Sequence, residues 1–336
     1  MPRPTGTTRP PPPAPTESAR RFGDACLRGV GQIVFANSPL SGALVLGAML
    51  TASPWLGAAA ALGVVSSTAT ARLLRLHGGR TRAGLYGYNG ALVGAAFAAF
   101  LSPAWSAGVA AAIVAAAAVS TIVMVATSGV MVGVLGLPPL TLPFNFVALP
   151  CLMFTLSTSR VGRAPGLGAV VEPVHAIVAA TFSPVPFLST IVRGVGQIVL
   201  ADGVAAGALV LAAVAVVSRV GVLFALLGSA LGALLALALG ADHTSVTPGL
   251  WGYNAFVTAQ AIGAVFLRPS WSSSLYAATA AVTATVLGGA MSIALSPVGM
   301  PILTLPFCFA TLPFLLATRA TPLFESVHVS ESSSDE

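Results

Sequence analysis

Three kinds of uncharged polar side chain recur as pairs in a chain that is otherwise apolar: Gln32 with Gln197, Asn89 with Asn254, and Thr141 with Thr304. Amides and hydroxyls donate and accept hydrogen bonds without carrying charge, which suits a small polar, neutral solute whose lost hydration they can replace. Left unpaired inside a bilayer, such groups are costly, so each must bond to a neighbouring helix or to something passing by. The threonines stand out because both sit in broken backbone. Leu137-Pro138-Pro139-Leu140-Thr141-Leu142-Pro143-Phe144 returns as Met300-Pro301-Ile302-Leu303-Thr304-Leu305-Pro306-Phe307, and the prolines remove donors and disfavour helix around each hydroxyl.

Other chemistries find little support. Of the nine acidic residues, all but Asp202 fall in tails or loops, as do His77, His175, His243 and His328. No nucleophile, general base and orienting acid can be gathered at membrane depth, and Gly29-Val30-Gly31 is a mere fragment of a dinucleotide fingerprint. The spacings of Cys26, Cys151 and Cys308 fit neither a zinc site nor a disulfide framework, so they read as packing residues. No enzyme, cofactor or metal centre is expected. All 15 basic residues are arginine, which points to coding bias and not to a nucleic-acid surface.

The elements that carry these residues must be membrane helices. Of 336 residues, 56% are hydrophobic and only 7% charged, against about 25% charged in soluble domains; mean hydropathy is +0.92. Apolar segments follow one another from about residue 25 to 318, without the alternation of a β-barrel. The fold class is an all-α integral membrane protein.

The chain also repeats itself. Arg28-Gly29-Val30-Gly31-Gln32-Ile33-Val34 recurs letter for letter as residues 193–199, and Gly84-Leu85-Tyr86-Gly87-Tyr88-Asn89 returns as Gly249-Leu250-Trp251-Gly252-Tyr253-Asn254. Pro103 and Trp105 match Pro269 and Trp271. The first copy shows a short piece at 25–36, then spans near 39–52, 55–74, 85–101, 104–126 and 142–158. Five spans plus a half-helix per copy put the second copy into the membrane from the opposite face, an inverted-topology repeat with its site at the interface near the midplane.

Arginines provide an independent check. With the N-terminus inside, nine (Arg20, Arg21, Arg72, Arg75, Arg80, Arg82, Arg219, Arg268 and Arg319) fall on the cytoplasmic side and three (Arg160, Arg163 and Arg193) outside, so both termini should be cytoplasmic. The expected organisation is a disordered Pro-rich tail (1–22), first membrane repeat (23–158), external linker (159–190), second membrane repeat (191–320) and acidic tail (321–336). Breaks at Asn37-Ser38-Pro39 and Asp202-Gly203 predict half-helices around Gln32 and Gln197, and Phe35, Tyr88 and Tyr253 offer faces for a flat slot.

Together, the doubled threonine-proline element, the Gly-x-Gly-Gln-x-x-Phe element at 29–35 and the Gly-Tyr-Asn-Gly-x-Leu-Val-Gly element at 87–94 resemble the urea transporter family over roughly residues 20–320. The resemblance implies a channel-type urea facilitator in the cell (inner) membrane, a homotrimer with a pore in each protomer, and no cofactor. It implies that Gln32 and Gln197 lie at the two mouths, Thr141 and Thr304 at the middle, and Phe35, Tyr88 and Tyr253 in aromatic slots. Leu92 and Val257 line the constriction in that reading, with backbone carbonyls accepting the amide hydrogens of urea. Leu200 stands where a second phenylalanine is expected, Asp202 replaces the amide of Asn37, and Ala255 replaces Gly90, so the second mouth is expected to be looser. Short amides, ammonia or water are alternative permeants, and a non-conducting scaffold is the alternative of another class.

Overall fold

Serines set where many of the apolar helices begin. The computed structural model describes residues 15–101, 105–158, 162–164, 167 and 184–325. The first half holds α1 (Pro15–Gln32), α2 (Pro39–Ala52), α3 (Pro54–Leu73), α4 (Gly78–Arg82), α5 (Tyr88–Phe100), α6 (Ala107–Met131) and α7 (Leu142–Leu156). The second holds α8 (Pro184–Gly196), α9 (Val204–Ala215), α10 (Arg219–Ala238), α11 (His243–Val246), α12 (Tyr253–Gln260), α13 (Trp271–Leu295) and α14 (Leu305–Thr318). A π-helix over Ala261–Phe266 continues α12. Side chains of Ser38, Ser53, Ser106, Ser218 and Ser270 cap the first turns of α2, α3, α6, α10 and α13, each cap contributing about 1 kcal/mol. Leu101 and Arg163 form an isolated antiparallel bridge.

The two halves correspond element by element, down to the backbone. Left-handed non-glycine residues occur at Phe35 (φ 58°) and Leu200 (φ 59°), and again at Leu140 (φ 50°) and Leu303 (φ 47°). Gly84 (φ 76°) and Gly249 (φ 84°) form the third such pair; an added Cβ there would lie 2.2 and 2.3 Å from the backbone nitrogens of Gly29 and Gly194. Only glycine fits both the angle and the space.

The ranges expected at 39–52, 55–74, 85–101, 104–126 and 142–158 are occupied by α2, α3, α5, α6 and α7. Four helices are long and apolar enough to cross a membrane: α3, α6, α10 and α13 with its extension to Val298. The α8 and α9 region forms a further pair bent by 73° at the break around Leu200–Gly203. The apolar helices α2, α5, α7 and α14 have 13 to 15 residues. At 1.5 Å per residue they extend about 20 Å, short of a hydrocarbon core of about 30 Å. Of the five expected spans of the first half, α3 and α6 reach that length.

The tail boundary also moves. Helix begins at Pro15 instead of after residue 22, and α1 is an 18-residue helix, not a half-length piece over 25–36. Its charges stabilise it locally: Arg21 pairs with Glu17, Arg28 with Asp24 at 2.7 Å, and Arg72 lies 4.5 Å over the Phe22 ring. The remaining tail (1–14), most of the 159–190 linker including Arg160 and His175, and residues 326–336 with His328 lie outside the described residues.

At the centre, α5 is buried at every position from Tyr88 to Ala98, and α12 from Asn254 to Gln260. Helices apolar all round belong there. Outside them α6 and α13 expose Val114, Ile122, Val130, Leu275, Val286 and Ile293, the side chains a lipid surface would cover. Across the halves α2 packs on α9, where the Ser41 hydroxyl donates to the Ala213 carbonyl at 2.8 Å.

Candidate functional site

The prolines of each repeated element end one segment and start the next helix, so α7 and α14 begin at Leu142 and Leu305 with Thr141 and Thr304 as their N-caps. The two N-termini meet: the Thr141 and Thr304 hydroxyl oxygens lie 2.7 Å apart, both buried. Asn145, one turn into α7, donates through Nδ2 to Thr304 Oγ1 at 2.9 Å and to the Thr141 carbonyl at 2.8 Å, while its Oδ1 accepts from the Thr304 amide at 3.2 Å. The corresponding residue of α14 is Cys308, whose Sγ lies 3.3 Å from Thr141 Oγ1. Since Asn145 Nδ2 must donate, a chain of uncharged donors and acceptors runs from Asn145 through Thr304 and Thr141 to Cys308.

Around this centre the tyrosine and asparagine of each half fasten the elements. Tyr88 donates to the Leu140 carbonyl at 2.5 Å and Tyr253 to the Leu303 carbonyl at 2.9 Å. Asn89 Oδ1 accepts from the Phe144 amide at 3.1 Å, and Asn254 Oδ1 from the Phe307 amide at 3.2 Å. Each asparagine thus caps from outside a helix end that its own threonine side chain does not cap. The halves then diverge: Asn254 Nδ2 reaches the Leu303 carbonyl at 3.2 Å, whereas Asn89 Nδ2 lies 3.6 Å from Met124 Sδ. The Leu140 and Leu303 carbonyls, expected to face a solute, already accept from tyrosine.

The glutamines play matched parts. Gln32 Nε2 donates to the Ala83 carbonyl at 3.1 Å and Gln197 Nε2 to the Pro248 carbonyl at 3.0 Å, tying the ends of α1 and α8 to the turns that precede α5 and α12. Phe35 meets rings of the second half edge-on, Phe266 at 5.8 Å and Phe307 at 6.3 Å, rather than a tyrosine face to face. Its counterpart Leu200 is part-buried in the same left-handed conformation. Leu92 and Val257 are 1% exposed and lie one turn beyond Tyr88 and Tyr253. Asp202 is paired: Arg193 holds it with two bonds of 2.9 and 2.6 Å, where Arg28 donates to the Asn37 side chain at 3.1 Å in the first half.

These features agree with a match to the urea transporter family over residues 23–319. The chain belongs to the urea transporter family. Urea transporter 1 of Ovis aries is 33% identical over 326 residues, covering 93% of this chain and 81% of the relative. Urea transporter 1 of Rattus norvegicus is 34% identical over 308 residues, covering 90% and 78%. As a family member with several apolar helices, the protein is a multi-pass membrane protein.

Asn145 and Cys308 escaped the sequence reading, which took Cys308 as packing. Comparing the copies favours letters that match, and these two do not; their shared place, four residues after each threonine, was the available signal.

Proposed function

We propose that this chain conducts urea passively across the membrane, through a narrow uncharged path that passes Thr141 and Thr304. The observation that carries the reading is the chain of neutral hydrogen-bonding groups Asn145, Thr304, Thr141 and Cys308 where two helix N-termini meet. Urea is a plane of N–H donors around one acceptor, and such groups can exchange their mutual bonds for bonds to it. An ion would find no charge here to replace its hydration. Gln32, Gln197, Phe35, Leu200, Tyr88, Tyr253, Asn89, Asn254, Leu92 and Val257 flank this path as mouths, slots and walls. The two halves insert with opposite topology, both termini are cytoplasmic, the membrane is the inner (cell) membrane, and three protomers associate, each with its own pore.

Stopped-flow urea uptake into liposomes carrying the purified protein tests this. Uptake saturates only at high urea and persists when proton and sodium gradients are collapsed; strict dependence on either gradient overturns the channel reading. Leucine in place of a second ring at Leu200 favours a wider solute range, so short amides belong in the same flux panel.

A further inference from the structure

Four arginines converge on one cavity at the end of α3. Arg21 of α1, Arg72 and Arg75 at the close of α3, and Arg82 of α4 line a space of about 310 Å³, at the lower end of small-ligand clefts of about 300–1,000 Å³. Two of the four have partners: Arg21 pairs with Glu17, and Arg72 lies over the Phe22 ring. Among the described residues no hydrogen bond or ion pair engages the guanidinium groups of Arg75 and Arg82, and no acidic side chain lines the cavity. Positive charge is thus concentrated in a concave site.

Comparison of the halves separates this cluster from the ordinary excess of basic residues at a helix end. Arg75 sits in left-handed backbone (φ 52°), and the matching position of the second half is Gly240 (φ 77°). The turn is the same in both: the Arg75 amide donates to the Arg72 carbonyl at 3.0 Å, and the Gly240 amide to the Leu237 carbonyl at 3.1 Å. Glycine takes this conformation freely and arginine does not. The first half therefore keeps a strained residue where glycine serves, and such strain concentrates at functional positions. Arg21, Arg72 and Arg82 likewise correspond to Pro186, Leu237 and Thr247, so the cluster belongs to one half alone.

The surroundings indicate what the bound anion is attached to. As α3 is long enough to cross the membrane, its last turn lies where headgroups meet water. Leu73 and Leu74, between Arg72 and Arg75 in the chain, are 82% and 50% exposed. Guanidinium groups grip phosphate oxygens with paired hydrogen bonds, and basic pockets beside membrane helices suit anionic headgroups. We infer that this cavity binds the headgroup phosphate of an anionic phospholipid through Arg72, Arg75 and Arg82, with Leu73 and Leu74 against its acyl chains. The site shares no residue with the threonine centre and does not depend on what the protein conducts.

Full-length protein in neutral detergent tests it, read by the unfolding midpoint and by lipid retained in native mass spectrometry. The probes are phosphatidylglycerol, phosphatidylcholine with the same chains, and inorganic phosphate. Phosphatidylglycerol should stay bound and raise the midpoint well beyond the other two; an equal effect of phosphatidylcholine, or of phosphate alone, overturns the inference. Arg75→Gly with Arg82→Thr installs the residues of the second half and should weaken phosphatidylglycerol binding about tenfold or more. Arg75→Gly by itself should raise the midpoint of the lipid-free protein, because the strain is gone; a lower midpoint would mean that Arg75 serves stability and overturns its assignment. Arg219→Gln with Arg319→Gln removes as many charges outside the cavity and should leave binding unchanged. Equal weakening by both pairs would reduce the effect to net charge and overturn the site. If the cavity pair does not fold, Arg82→Thr alone decides, and unaltered affinity there overturns the inference.

Discussion

The hydroxyls of Thr141 and Thr304, 163 positions apart in the chain, share a hydrogen bond of 2.7 Å. They are not equivalent. Thr304 Oγ1 also accepts from Asn145, whereas Thr141 Oγ1 has the weaker thiol of Cys308 beside it. Besides breaking the shared bond, Thr304→Val strips a partner from the Asn145 amide where Thr141→Val strips one only from a thiol, so Thr304→Val should reduce urea flux more. Each unmet buried bond is worth about 1–3 kcal/mol, or about five- to a hundredfold in rate. Uptake measured at matched protein density gives the order directly, and unchanged flux in both variants would make the threonines structural.

Asn145 bonds to the hydroxyl and amide of Thr304 and to the carbonyl of Thr141, so it joins the halves at the centre. Asn145→Leu should therefore destabilise the purified protein by more than Cys308→Ala, leaving buried partners unsatisfied at about 1–3 kcal/mol each. Thermal unfolding in detergent measures this as a clear drop in midpoint for the first variant and a small one for the second.

What was legible beforehand was whatever both copies spell alike. The Arg28 and Arg193 motifs, the tyrosine-asparagine pairs and the threonine-proline elements located α1 and α8, α5 and α12, and the starts of α7 and α14. Outside those matched stretches the comparison had nothing to align, which is why Asn145 and Cys308 emerge only in three dimensions. The breaks were legible too, from Asn37-Ser38-Pro39, Asp202-Gly203 and the prolines of the threonine elements, whereas the left-handed residues beside them, Phe35, Leu140, Leu200 and Leu303, are ordinary apolar side chains that carry no turn signature of their own. The early start of α1 was hidden because its charged positions resemble a tail until Arg21 and Arg28 are seen to pair one turn back along the helix.

The tyrosines make a further graded pair. Among the described residues Tyr88 is the sole donor given to the Leu140 carbonyl, while the Leu303 carbonyl receives both Tyr253 and Asn254. Tyr88→Phe should thus cost about 1 kcal/mol or more and Tyr253→Phe less. The expected readout is a lower unfolding midpoint for Tyr88→Phe than for Tyr253→Phe; the reverse order would mean that Asn254 does not support Leu303 in the membrane.

Asp202, the acidic residue that the sequence left at depth, is bonded twice by Arg193, with the two side chains 51% and 26% exposed. A pair this open to solvent contributes only about 0–1 kcal/mol. The first half makes the same connection with an amide, Arg28 to Asn37, and puts its carboxylate at Asp24. Asp202→Asn recreates that arrangement and keeps an acceptor in front of Arg193. It should leave urea flux and its independence of ion gradients unchanged, with at most a slight loss of stability that shrinks further as salt is raised. A large fall in flux would instead place the Asp202 charge on the solute path.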